Sequence, residues 1–231
     1  MIQAILFDMD GTLYDEVYPK VRAELLTSEY ISEKTQVGVC EIYDTFRQVK
    51  SFFTKSYSSA QLKNNRKLWF EETLRKLDIS GITGEEASEY YWNMLLQQMG
   101  PYIDFLHVLP WFQANFELFV LTDESIEICK RKLERLGLEN EFKAVISSEQ
   151  VGKTKPSKEL FDFALSITGY TPEEIVMVGD NPSADILGGN MAGMSTAWLK
   201  RGKYHYYPFT KRETPDYVFT SFLQLYNWIK S

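Results

Sequence analysis

The chain has 231 residues, 44% of them apolar and 25% charged, which excludes wholesale disorder and fits one or two globular domains. A formal net charge of −7 argues against nucleic acid as a partner, because such proteins present a basic field. Two cysteines, Cys40 and Cys129, exclude a disulfide framework, and no apolar run approaches the ~18 residues of a membrane span, so no membrane partner and a cytoplasmic protein are expected.

Residues 2–7 form a short apolar run that stops at Asp8, the pattern of a strand buried on both faces of a parallel sheet. From 15 to 100 the period is helical. Val17, Val21 and Leu25 begin one helix, and Ile42, Phe46, Val49 and Phe53 mark a second. Leu68, Leu74 and Leu77 suggest a third. Thr83-Gly84-Glu85-Glu86 has the capping-box form ahead of a fourth, which Gly100-Pro101 ends.

Buried-strand runs then recur at 118–121, 144–146, 175–178 and 196–199. Between them, Ile126, Cys129, Leu133 and Leu136 define a helix that Gly137 stops, and Leu160, Phe161, Ala164 and Leu165 define another. Phe222, Leu225, Tyr226 and Ile229 mark the last. Thr171-Pro172-Glu173-Glu174 resembles a capping box but runs straight into a strand, so it predicts a single turn. The alternation predicts an α/β fold with a doubly wound parallel sheet built from 1–14 and 101–231, interrupted by a helical domain at 15–100.

In such sheets ligands bind at the carboxyl ends of the strands. Asp8, Asp10, Gly11 and Thr12 follow the first strand; Thr122 and Asp123 follow the second. Gly179, Asp180 and Asp185 follow the fourth, and Lys155 lies in the loop beyond the third. Two Asp spaced by one residue at a strand end can share a site if the chain turns, and Gly11 permits the turn. Clustered carboxylates repel one another unless a cation sits among them, and hard oxygen ligands suit Mg²⁺. Taken singly, Thr122 reads as a turn residue and Lys155 as a solvated loop lysine.

The four motifs, Asp8–Thr12, Thr122, Lys155 and 179–185, stand in an order that resembles the haloacid dehalogenase superfamily of hydrolases. The resemblance spans essentially the whole chain. The helical insertion is similar to that family's helical cap, and residues 185–194 are similar to its small phosphatases and nucleotidases. It implies a Rossmann-like core and a phosphatase that acts on a small phosphorylated metabolite, a nucleotide or sugar phosphate. Asp8 would be the nucleophile and Asp10 the proton donor and acceptor. Mg²⁺ would be held by Asp8, the Asp10 backbone carbonyl and Asp180, with Asp185 in support. Thr122, Asp123 and Lys155 would meet the phosphoryl group. A monomer or small homo-oligomer is expected.

Asp10 favours phosphoryl chemistry over dehalogenation, because dehalogenases of this fold lack that residue. Asp123 departs from the Asn often found in relatives, and a carboxylate there is unhelpful unless it points away from the phosphate. The alternatives are a phosphomutase, a phosphonatase that would need a cap lysine such as Lys50 or Lys55, and a non-catalytic phosphate-binding module. The aromatic residues of the insertion, Phe46, Phe52, Phe53, Tyr57, Trp69, Phe70, Tyr90, Tyr91 and Trp92, are expected mainly as bundle interior rather than as a stacking surface. Gly152-Lys153-Thr154 is not a phosphate loop, since Ser147 stands where its first Gly is required.

Overall fold

A computed structural model describes residues 1–57, 59–205 and 210–230. The chain divides into two compact units, Met1–Val17 with Gly100–Ser231, and Tyr18–Met99.

The first unit opens with β1 (Ala4–Phe7). After the insertion come α6 (Ile103–Asn115), β2 (Glu117–Thr122), α7 (Ile126–Leu136), β3 (Ala144–Ser147), α8 (Lys158–Thr168), β4 (Ile175–Gly179), α9 (Leu187–Ala192), β5 (Ser195–Leu199), β6 (Tyr217–Phe219) and α10 (Phe222–Lys230). The insertion carries α1 (Val17–Thr35), α2 (Val39–Ser56), α3 (Ala60–Lys63), α4 (Arg66–Lys76) and α5 (Gly84–Gln98).

The six strands form one sheet of order β3-β2-β1-β4-β5-β6, parallel at every pairing. The order reverses at β1/β4, which makes that crevice the topological switch point. Both strands are buried along their whole length, as their unbroken apolar runs require. Alternate side chains take opposite faces. Leu6, Phe119, Leu121 and Met177 pack with Leu160, Phe161 and Ala164 of α8. Phe7 turns the other way and meets Phe105 of α6 edge-on at 5.5 Å, with Phe222 of α10 5.0 Å from Phe105. Each such ring or Leu stabilises by about 1.5–3 kcal/mol on full burial.

Two local expectations match the structure in detail, and a third matches in part. Gly137 ends α7 in the left-handed region at φ 68°. Thr83 caps α5 by accepting from Glu86 N at 3.1 Å, but the Glu86 carboxylate accepts from Tyr30 and Lys34 and does not close the capping box. Residues Pro172–Glu174 form one 3₁₀ turn, after which β4 begins at once. Four elements escaped the sequence pattern: α3, α6, α9 and β6. In α6, Pro110 lies inside the helix and apolar residues surround most of it. In β6 there are only three residues.

The chain leaves and re-enters the α/β unit at one point. Tyr14 and Pro101 form a β-bridge, and Tyr102 N donates to Leu13 O at 3.0 Å. A long insertion with adjacent ends costs the host fold little closure entropy.

In the helical unit α2, α4 and α5 share an aromatic interior. Phe46 stacks on Phe70 at 4.5 Å, and Trp69, Tyr91 and Trp92 are buried with them. Phe52 and Tyr57 are exposed instead. The helix expected from Val17 and Val21 forms, but both residues are exposed; its buried side is Ala23, Thr27 and Ile31. Lys50, whose side chain is 36% exposed, pairs at 2.5 Å with the buried Glu24, and burial pushes its pKa down against that partner.

Candidate active site

Asp8 continues the line of β1 beyond its last pairing, because its N–H donates to Val178 O at 2.8 Å. Its carboxylate therefore stands at the carboxyl end of β1 beside β4. The next residues turn sharply: Gly11 has φ 86°, a conformation that disfavours a side chain, and a Cβ there would overlap Asp180 Oδ2. Thr12 Oγ1, delivered by this turn, donates to Asp8 Oδ2 at 2.9 Å.

Lys155 reaches the same carboxylate from the loop before α8. Its Nζ lies 2.5 Å from Asp8 Oδ1, 2.7 Å from Asp185 Oδ1 and 3.3 Å from Leu121 O. Taken singly, Lys155 reads in the sequence as a solvated loop lysine; in the structure it is buried, whereas the neighbouring Lys158 is exposed and pairs with Asp162 at 2.6 Å.

Asp180 and Asp185 follow β4. Oxygens of Asp8, Asp180 and Asp185 lie within 4.8 Å of one another, all three residues buried. Asp185 Oδ2 accepts from Asn181 N at 3.0 Å, and its carboxyl fills the space where a Cβ at Gly179 would sit. Trp198 Nε1 donates to the Asp180 backbone carbonyl at 2.8 Å, which fixes the turn, while Asp180 Oδ2 is buried without a hydrogen-bond partner.

Burial dominates the electrostatics. It pushes Asp8 up to about 7, with Lys155 opposing and Asp185 and Asp10 adding repulsion. Asp180 is pushed well above the usual carboxylate range by burial and by the Asp8 and Asp185 charges; Asp185 rises through burial against the pull of Lys155. Burial also disfavours the Lys155 ammonium, but Asp185, Asp8 and Asp123 outweigh it and hold its pKa well above the ordinary lysine value.

Thr122 ends β2, is buried, and accepts Glu124 N at 3.1 Å through Oγ1. Asp123 follows, and its Oδ1 accepts the Lys155 backbone N–H at 2.9 Å. One oxygen of this carboxylate is thus committed to the loop that carries Lys155.

Asp10 lies two residues from Asp8, but its carboxylate keeps different company. Tyr14 donates to its Oδ1 at 2.5 Å, and Lys132 Nζ lies 2.8 Å from Oδ1 and 2.9 Å from Oδ2. Neither Tyr14 nor Lys132 stands out as a site residue in the sequence. A signal for Lys132 does exist: it falls among Cys129, Leu133 and Leu136 on the face of α7 that helical spacing reserves for apolar residues.

Among the described residues, no helix is long and apolar enough to cross a membrane. A family model described as haloacid dehalogenase-like hydrolase matches residues 2–193. The glyceraldehyde 3-phosphate phosphatase of Methanopyrus kandleri is 31% identical over 94% of this chain and 92% of its own. The pyrimidine 5'-nucleotidase YjjG of Escherichia coli is 32% identical over 62% of this chain and 61% of its own. Among solved structures, the Bacillus subtilis HAD-hydrolase YfnB, crystallised bound to magnesium, superposes with a TM-score of 0.74 at 22% identity, covering 100% of this chain and 99% of that one, a likeness of fold. With a family match over most of its length and a relative of this similarity along nearly all of it, the chain belongs to the haloacid dehalogenase-like hydrolases.

Proposed function

We propose that this hydrolase is a Mg²⁺-dependent phosphatase that releases inorganic phosphate from a small phosphorylated metabolite, a sugar phosphate or nucleotide, by way of an aspartyl-phosphate on Asp8. The observation that carries this reading is the Asp8 carboxylate at the β1/β4 switch point, faced by the buried Lys155 ammonium at 2.5 Å and by two further buried carboxylates. Relatives named as phosphatases of a triose phosphate and of pyrimidine nucleotides support the substrate class.

The residues fit a hard divalent cation. Three buried carboxylates share one corner, the Asp180 Oδ2 lone pairs have no protein donor, and Gly11 leaves open the space in front of that oxygen. Asp8, Asp180 and the Asp10 backbone carbonyl would hold it, with Asp185 holding Lys155 and the Asn181 turn in place. Bound Mg²⁺ supplies charge that offsets the repulsion between an attacking carboxylate and a phosphate dianion.

The chain's own residues carry the steps. An Asp8 oxygen forms a bond to phosphorus as the bond from phosphorus to the ester oxygen breaks, and Asp10 gives its proton to that leaving oxygen. A water oxygen then bonds to phosphorus, its proton passes to Asp10, and the bond to Asp8 breaks. Inorganic phosphate leaves, with Asp8 again a carboxylate and Asp10 again protonated. Lys155 and the Thr122 hydroxyl orient the phosphoryl oxygens and balance their charge. The Asp123 carboxylate supports the Lys155 loop, which keeps its charge turned from the phosphate. We assign the helical insertion the part of cap, the segment that selects the substrate.

Cleavage of a phosphonate through an imine would need a free cap amine; the ion pair with Glu24 argues against Lys50 in that part, which leaves the exposed Lys55. A panel of sugar phosphates and nucleoside monophosphates with Mg²⁺, read by phosphate release, tests the proposal. Turnover with phosphate release is the expected result. Failure on every ester, or transfer without release, would overturn it.

A further inference from the structure

We infer that Lys132 and Tyr14 are positioning residues for Asp10, clamping its carboxylate in one orientation for both proton transfers; this rests on the role proposed above for Asp10. The two donors approach from separate elements. Tyr14 comes from the turn four residues beyond Asp10 and bonds Oδ1 at 2.5 Å. Lys132 comes from α7 and spans both oxygens at 2.8 and 2.9 Å. Both clamp residues are fully buried, whereas the Asp10 side chain keeps 17% of its surface exposed. One side of the carboxylate is thus fixed by protein, and its remaining surface stays accessible.

The placement of Lys132 is costly. A lysine among Cys129, Leu133 and Leu136 gives up all hydration of its ammonium, where an apolar side chain would pack without that loss. The Lys132 ammonium also lies 5.9 Å from the centre of the Tyr14 ring, so the three groups form one assembly. A carboxyl that must first deliver a proton to a leaving oxygen and then take one from water needs the same position in both steps. Displacement by about 1 Å can cost ~100-fold in such a step.

Paired esters that differ mainly in leaving-group basicity separate positioning from general damage. Phenyl phosphate needs a proton on its departing oxygen far more than p-nitrophenyl phosphate does. With the full-length protein in excess Mg²⁺, Lys132→Met is expected to lower kcat/KM about 100-fold on phenyl phosphate and less than about 5-fold on p-nitrophenyl phosphate. Asp10→Asn is expected to show the same selectivity, more strongly. Tyr14→Phe, which removes only a hydroxyl, is expected to shift the ratio about 10-fold in the same direction, and it decides the matter if Lys132→Met lacks a cooperative melt. Equal loss on both esters, or no loss, in the Lys132 and Tyr14 variants while Asp10→Asn remains selective overturns the clamp and leaves the phosphatase reading standing. Loss of selectivity in Asp10→Asn itself overturns the role given to Asp10, and the clamp with it.

Discussion

The Lys155 backbone N–H donates to the Asp123 carboxylate at 2.9 Å, tying the residue after β2 to the loop that delivers the site's ammonium. Asp123→Ala is expected to loosen that loop and lower kcat/KM about 10-fold, mostly through KM, because Lys155 would no longer be held against the phosphoryl group. Asp123→Asn keeps an oxygen that can accept the same N–H, and steady-state kinetics should show it within about 3-fold of wild type.

Asp8→Asn removes the nucleophile while keeping its shape and one acceptor oxygen. Turnover should fall at least ~1000-fold with no loss of fold by circular dichroism. Beryllium fluoride with Mg²⁺ should raise the melting temperature of wild type and leave the variant unmoved. Comparable turnover by the variant would remove Asp8 from the mechanism.

Gly11 and Asp180 should act together on metal affinity. Gly11→Ala forces a methyl onto Asp180 Oδ2 at a backbone conformation of φ 86° that alanine resists. Calorimetric titration should show Mg²⁺ binding weakened ~10–100-fold in Gly11→Ala and at least as much in Asp180→Asn. Unchanged affinity in both would place the cation elsewhere.

Without metal the carboxylate cluster makes stability pH-dependent. Asp8, Asp180 and Asp185 all hold protons more tightly folded than unfolded. The native state then binds more protons, so the Asp8 contribution is full below the ordinary Asp value of 3.8 and is lost as pH rises through about 7, with Asp180 and Asp185 acting in the same direction. In a chelator, the melting temperature of wild type should therefore fall relative to Asp8→Asn between pH 5 and pH 8, and Mg²⁺ should reverse the trend. A constant difference across that range would contradict the raised Asp8 pKa.

How legible the site was in the sequence depends on how local each part is. Asp8, Asp10, Gly11 and Thr12 lie in one strand and its turn, so a five-residue pattern carries their relation. Lys132 reaches Asp10 across 122 residues, and its place on an apolar helix face was the only trace of its burial. Lys155 and Lys158 look alike in the sequence, yet one is enclosed and the other solvated, because enclosure depends on Asp8, Asp123 and Asp185 arriving from three other segments. In the helical unit, periodicity gave α1 its existence but not its inward side: Val17 and Val21 are exposed while Ala23, Thr27 and Ile31 are buried.

The amino-acid sequence alone determined the doubly wound sheet, the helical insertion and the acidic strand ends, because buried runs, helical spacing and turn residues are local consequences of backbone geometry and of excluding water. Tertiary structure alone decided which charges face one another. It set Asp185 and Lys155 against Asp8, turned Asp123 to a backbone N–H, and enclosed Lys132 with Asp10. Coulomb energy and desolvation depend on distance and burial in space, and neither follows from separation along the chain.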